Sequence, residues 1–72
     1  MTREYAVVLE RGDHNWSAYV PDLPGCIATG KTRDETLNVL REAIAFHLEG
    51  MQLHGEHVAE PTAQVERVVV AS

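Results

Sequence analysis

Cys26 is the only cysteine, so no disulfide can form within the chain. Lys and Arg are also few, six against eleven Asp and Glu, and the formal net charge is −5. A free-standing nucleic-acid surface needs a basic patch to neutralise phosphates, and this balance argues against one. It suits a basic protein partner, because complementary charge steers encounter, and it also serves plain solubility. No apolar stretch approaches the roughly 20 residues of a membrane-spanning helix. Met1-Thr2-Arg3-Glu4 leads almost at once into a strand pattern, with no signal or transit features. A lone free thiol fits a reducing compartment, and the expected location is the cytoplasm.

Length is the other shortage. With 72 residues the chain is expected to form one domain, residues 1–72, whose core supplies only ~3–5 kcal/mol. Disulfides are excluded, so oligomerisation is the expected source of further stability. A homo-oligomer (dimer or tetramer) or a hetero-complex follows.

Catalytic patterns are equally scarce. There is no glycine-rich phosphate loop and no nucleophile elbow. Two-metal phosphoryl chemistry needs carboxylates converging on cations about 3.5–4 Å apart. Here Glu10, Asp22 and Glu35 lie at segment ends, and residues 6–9 and 17–20 carry no carboxylate. Cys26 has no histidine close in sequence to depress its pKa, although His14 or His47 could approach it in space. Its ordinary role is that of a small buried apolar residue. His54-Gly55-Glu56-His57 offers two imidazoles and a carboxylate, but no third firm ligand for a zinc-type site. The chain is read as not an enzyme, with no catalytic residue, no metal ligand and no cofactor.

What remains is a folding pattern. Residues 4–10, Glu-Tyr-Ala-Val-Val-Leu-Glu, read as a β-branched strand. Arg11-Gly12-Asp13-His14-Asn15 is a polar turn cluster. Residues 16–20 alternate again, with Trp16, Ala18 and Val20 on one side, so the two runs form an antiparallel hairpin. Pro21 ends the second strand because it has no amide donor. Pro24-Gly25 fits the centre of a type II turn, and residues 26–29 form a short third strand.

Thr32-Arg33-Asp34-Glu35 then opens a helix. Thr32 caps its amides, Glu35 is expected to reach back to the Thr32 amide, and both acids complement the helix dipole. Leu37, Leu40, Ile44, Leu48 and Met51 make one apolar stripe. The helix is expected from about residue 33 to near 54, ended by a left-handed Gly55. Val39, Phe46 and Leu53, with Ala43, lie off that stripe. Either the core wraps widely around the helix or this strip meets another chain. After a loop with Pro61, residues 65–70 read as a final valine-rich strand. The order β-β-β-α-β gives an α+β fold: an antiparallel sheet with one long helix packed on one face. Tyr5, Val8, Tyr19 or Val68 could occupy the other face, according to strand phase.

The run Pro21-Asp22-Leu23-Pro24-Gly25-Cys26 is less generic. With Gly30, Thr32 and Glu35 behind it, the chain resembles the HicB-like (UPF0150-type) antitoxin family from Tyr5 to about Val70. The resemblance implies a partial ribonuclease H-like fold. It also implies an antitoxin role in a type II toxin-antitoxin system: binding and neutralising a HicA-type toxin, a small basic ribonuclease that cleaves messenger RNA. Many family members add a C-terminal DNA-binding domain. This sequence ends at Ser72 without one, the short form, so no direct nucleic-acid binding is expected.

Acidic side chains can cover a ribonuclease's phosphate-binding surface. The expected partner-binding residues are Glu10 and Asp13 in the hairpin, Trp16, and Asp22, Leu23, Pro24 and Gly25 in the motif loop, with Glu42 and Glu49 as further acidic candidates. Trp16 is an aromatic anchor if exposed and a core tryptophan if not. Residues 21–25 are at least a structural turn. The oligomer is expected to form through sheet edges or through Val39, Phe46 and Leu53. The alternatives are an orphan oligomeric binding domain with a non-toxin partner, and a metal-dependent nuclease.

Overall fold

Alternation and turn chemistry produce a three-stranded antiparallel sheet in the order β1-β2-β3. Its strands are β1 (Val8–Arg11), β2 (Trp16–Tyr19) and β3 (Ile27–Gly30), followed by one helix, α1 (Arg33–Leu53). These elements come from a computed structural model that describes residues 2–72. In β1 and β2, Leu9 pairs with Ala18 and Val8 with Tyr19. Ala18 then pairs with Ala28 and Tyr19 with Ile27. Because side chains alternate across a sheet, the row Leu9–Ala18–Ala28 lies on one face and Val8–Tyr19–Ile27 on the other.

The helix packs on β3 and β2. It covers the face of Ala18 and Ala28, which are buried with Val20, Leu23, Cys26 and Leu40 in one cluster. Leu40 is the fully buried member of the expected helix stripe, and Ile44 and Leu48 pack around the same cluster. Burial of this stripe is the main force holding the helix, since packing of an amphipathic face outweighs propensity in protein helices.

Local signals set the helix ends. Thr32 has extended backbone and its side chain accepts the Glu35 amide at 3.1 Å. The return bond from the Thr32 amide to the Glu35 side chain, expected of a full capping box, is not formed. Instead the Thr36 hydroxyl donates to the Thr32 carbonyl at 2.8 Å. At the other end Gly55 takes a left-handed φ of 69°. Its amide donates to the Gln52 carbonyl and the Glu56 amide to the Met51 carbonyl. That pair of bonds is the Schellman closure a glycine permits.

Gly30 meets a different demand. A Cβ there would sit 2.7 Å from the Thr36 hydroxyl oxygen and 3.0 Å from the Thr36 amide. The helix start therefore rests directly against the end of β3.

Two expectations are corrected. The first strand begins at Val8, not at residue 4, because the hairpin ladder ends at the Val8–Tyr19 pair. Beyond it the Val20 amide turns away to the Cys26 carbonyl, and Pro21 has no amide to offer. The valine-rich segment, residues 65–70, is not a strand within this chain. Its high β-propensity cannot act without a neighbouring strand to complete its hydrogen bonds.

Candidate partner-binding surface

The motif loop is built from nested turns. The Leu23 amide donates to the Val20 carbonyl and the Cys26 amide to the Leu23 carbonyl, each at 3.1 Å. Gly25, with φ of 85°, supplies the positive backbone angle that a type II turn requires at this position. This winding points Leu23 into the core, where it is 1% exposed. Leu23 was expected at a partner surface; its side chain instead holds the sheet to the helix. Pro24 and Gly25 are exposed at the tip of the loop. Cys26 is buried, and burial pushes its thiol pKa up, as desolvation does for any group that ionises to an anion.

Asp22 points towards the C-terminal segment. Its Oδ2 accepts the Thr62 amide at 2.9 Å and the Ala63 amide at 3.0 Å, while Oδ1 accepts the Thr62 hydroxyl at 2.8 Å. These donors favour the charged form. The Ala63 amide, then the Thr62 amide, hold the carboxyl below the usual carboxylate value. Nearby the Tyr5 hydroxyl donates to the Ala59 carbonyl at 2.6 Å, and Arg3 faces Glu60 at 3.7 Å. Together these contacts strap residues 59–63 across the base of the sheet. Asp22, expected at the partner surface, thus has both carboxylate oxygens engaged within the chain.

The other acidic candidates are open. Glu10, Asp13, Glu42 and Glu49 are exposed, and among the described residues none of them has an ion-pair partner. Trp16 lies on the same face as Ala18, at the rim of the helix-covered side, and is half-buried. It is neither a fully enclosed core residue nor a free anchor.

The helix strip is also open. Phe46 is 79% and Leu53 78% exposed, with Val39 less so. Residues seven apart return to nearly the same helix face, so the three form one line. Ala43, read with this strip, packs against the core instead. Phe46 borders a groove of about 410 Å³ between the motif loop and the second half of α1, lined also by Ile27, His47 and Met51. Ile27, on the uncovered sheet face, is itself exposed. Ile27 was not singled out from the sequence, because its side depends on a strand register that a four-residue run cannot fix. Among the described residues no group of three or more His, Cys, Asp or Glu side chains could hold a metal ion. Nor, among the described residues, is any helix long and apolar enough to cross a membrane.

The motif loop thus packs its own leucine, the tail is strapped by Asp22 and Tyr5, and an apolar and acidic surface stays uncovered. The family model for the HicB-like antitoxin of bacterial toxin-antitoxin systems matches residues 5–71. The chain belongs to the HicB-like antitoxin family. A UPF0150 protein of Thermoplasma acidophilum is 32% identical over 62 residues, covering 85% of this chain and 90% of that protein. A UPF0150 protein of Helicobacter pylori is 39% identical over 41 residues, 57% of either chain. An uncharacterized protein of Haemophilus phage HP1 is 40% identical over 47 residues, and there the match spans only 35% of the relative's length. Among solved structures, a chain of a HicA3 and HicB3 toxin-antitoxin complex superposes with a TM-score of 0.69 at 25% identity. It covers 83% of this chain and 70% of that one. The three-stranded sheet followed by one long helix is therefore a HicB-type α+β fold.

Proposed function

We propose that this chain is an antitoxin that binds a HicA-type messenger-RNA-cleaving ribonuclease and holds it inactive, acting by binding and not by catalysis. The observation that carries this reading is the likeness to a chain of the HicA3 and HicB3 complex. The charge agrees: a net −5 is complementary to a toxin that must attract RNA phosphates. Exposed Asp13 and Glu10 in the first hairpin, with Glu42 and Glu49 on α1, stand in for phosphate oxygens against the toxin's basic side chains. Pro24 and Gly25 contribute backbone at the loop tip, and Trp16 contributes a partly exposed ring. The Val39, Phe46 and Leu53 line serves as an apolar interface between copies in a cytoplasmic homo-oligomer.

Co-expression tests the reading. A small basic HicA-type protein encoded beside this chain arrests growth when produced alone, and growth returns when this chain is co-produced. Arrest that persists despite soluble, folded antitoxin chain contradicts the proposal and favours a non-toxin partner.

A further inference from the structure

Gly50 has no local reason to stand inside α1. Glycine weakens a helix interior relative to other residues. A Cβ at this position would meet nothing within 4 Å, and the backbone there does not take a positive φ. Neither a tight contact nor a turn in its own chain calls for glycine. Gly50 instead borders, with Ala43, the groove beside Phe46. A helix bare of side chain over open space lets a second backbone come close.

Gly50 also completes a second repeat on the helix. Val39, Ala43, Phe46, Gly50 and Leu53 follow one another at spacings of four, three, four and three. That alternation makes a coiled-coil seam, with the large residues at its d positions and the small ones at its a positions. The seam stands beside the stripe of Leu40, Ile44 and Leu48, which already packs on the core. In a parallel pair of helices each d side chain enters a hole made by four residues of the facing helix. For Phe46 these are Ala43, Phe46, His47 and Gly50 of the other helix. All four line the groove of about 410 Å³, so the exposed ring and the hole that fits it lie on one surface.

Charge sets the direction of a neighbouring helix. Glu42 and Glu49 flank the seam on one side, and His47 and His54 flank it on the other. Among the described residues none of the four has an ion-pair partner in its own chain. Antiparallel helices bring the two glutamate flanks together, Glu42 against Glu49 of the other copy, and like charges repel. Parallel helices set each glutamate flank against an imidazole flank, with Glu42 opposite His47 and Glu49 opposite His54 of the other copy. An imidazole N–H donates to a carboxylate.

We propose that α1 of one copy packs in parallel on α1 of a second copy, with each Phe46 seated over Ala43 and Gly50 of the other. The two-fold axis runs along the helices, so the contact closes on itself as a dimer. This rests on the oligomer reading above and does not depend on the toxin. Glu42 and Glu49 then belong to the dimer, leaving Glu10 and Asp13 for the toxin.

Cysteine cross-linking in the full chain tests the direction. Across the two-fold axis Leu53 faces its own copy, and so does Val39. Leu53→Cys alone and Val39→Cys alone are each expected to give a covalent dimer on mild oxidation. Cys26 is buried, so the unaltered chain should give none. Cross-linking only when the two variants are mixed means antiparallel helices and overturns the proposal. Gly50→Lys tests the packing. Its side chain meets open space in the single chain and favours helix over glycine, so the circular dichroism of the fold is kept. At an a position facing a second helix it is expected to weaken the dimer about tenfold, read by sedimentation equilibrium. A chain monomeric at all concentrations overturns the proposal, as does a dimer indifferent to Gly50→Lys. Loss of toxin neutralisation on Gly50→Lys in a chain that never dimerises assigns the seam to the toxin and also overturns it. Absence of neutralisation by a chain that dimerises as described tells against the antitoxin reading alone.

Discussion

The Asp22 carboxylate accepts the Thr62 amide at 2.9 Å across 40 positions of sequence. Through it the motif loop that buries Leu23 also fixes where the C-terminal segment leaves the body. Asp22→Ala removes the acceptor for three donors. The expected result is faster amide exchange at Thr62 and Ala63 and a lower melting temperature, with the helix signal in circular dichroism unchanged below the transition. Thr62→Ala, which keeps both amide bonds, is expected to have a smaller effect.

The same clamp predicts an acid-side pH dependence. The folded-state pKa of Asp22 is lowered, so the stabilisation it carries is fully present above the unfolded-state carboxylate pKa of about 3.9. It is lost as pH falls below that value and through the folded pKa. Melting temperatures measured between neutral pH and about pH 2 should fall more steeply for the wild type than for Asp22→Ala over that window.

Leu23 and Leu40 are each 1% exposed and meet in one cluster. Replacing either with alanine leaves a cavity as well as losing apolar burial, at a cost of about 2–5 kcal/mol. In a domain this small that is a large share of the total. Denaturant titration is expected to show a chain substantially unfolded in buffer for either variant, and partial recovery on adding a bound partner.

Gly30→Ala places a methyl group 2.7 Å from the Thr36 hydroxyl oxygen. The contact forces β3 and the helix start apart, which costs about 1–3 kcal/mol. Thr36→Ala in the same chain removes the nearest atom but leaves the Thr36 amide at 3.0 Å. Chemical denaturation of the double variant should therefore show partial rescue.

Phe46→Lys is expected to leave folding stability within about 0.5 kcal/mol, because a side chain 79% exposed contributes little to the core. It should nonetheless weaken association between copies if the Val39, Phe46 and Leu53 line is an interface. Chemical denaturation of the variant checks the first statement and sedimentation velocity the second.

Elements that depend on near neighbours in sequence were legible. Thr32 as helix cap, Gly55 as helix terminator and the Pro24-Gly25 turn each need only a few adjacent residues, and the structure places all three as expected. The stripe through Leu40, Ile44 and Leu48 followed from helical period, and Trp16, Ala18 and Val20 from strand period. Relationships between distant segments were not legible. Asp22 looked like a free surface carboxylate because nothing local reveals a partner at Thr62. Leu23 looked like a loop residue because the nested turns that point it inwards are tertiary geometry. Residues 65–70 have the composition of a strand, but a strand exists only where another strand completes its bonds, and no ladder forms between them and β1.

Neutralisation by an antitoxin of this kind requires direct binding to the ribonuclease. The most direct measurement titrates this purified chain into a HicA-type toxin, the partner proposed for it, while following cleavage of a messenger RNA. Cleavage should fall linearly with added chain and end at a fixed molar ratio, with a stable complex on gel filtration. Cleavage that continues undiminished in the presence of excess folded chain would contradict it.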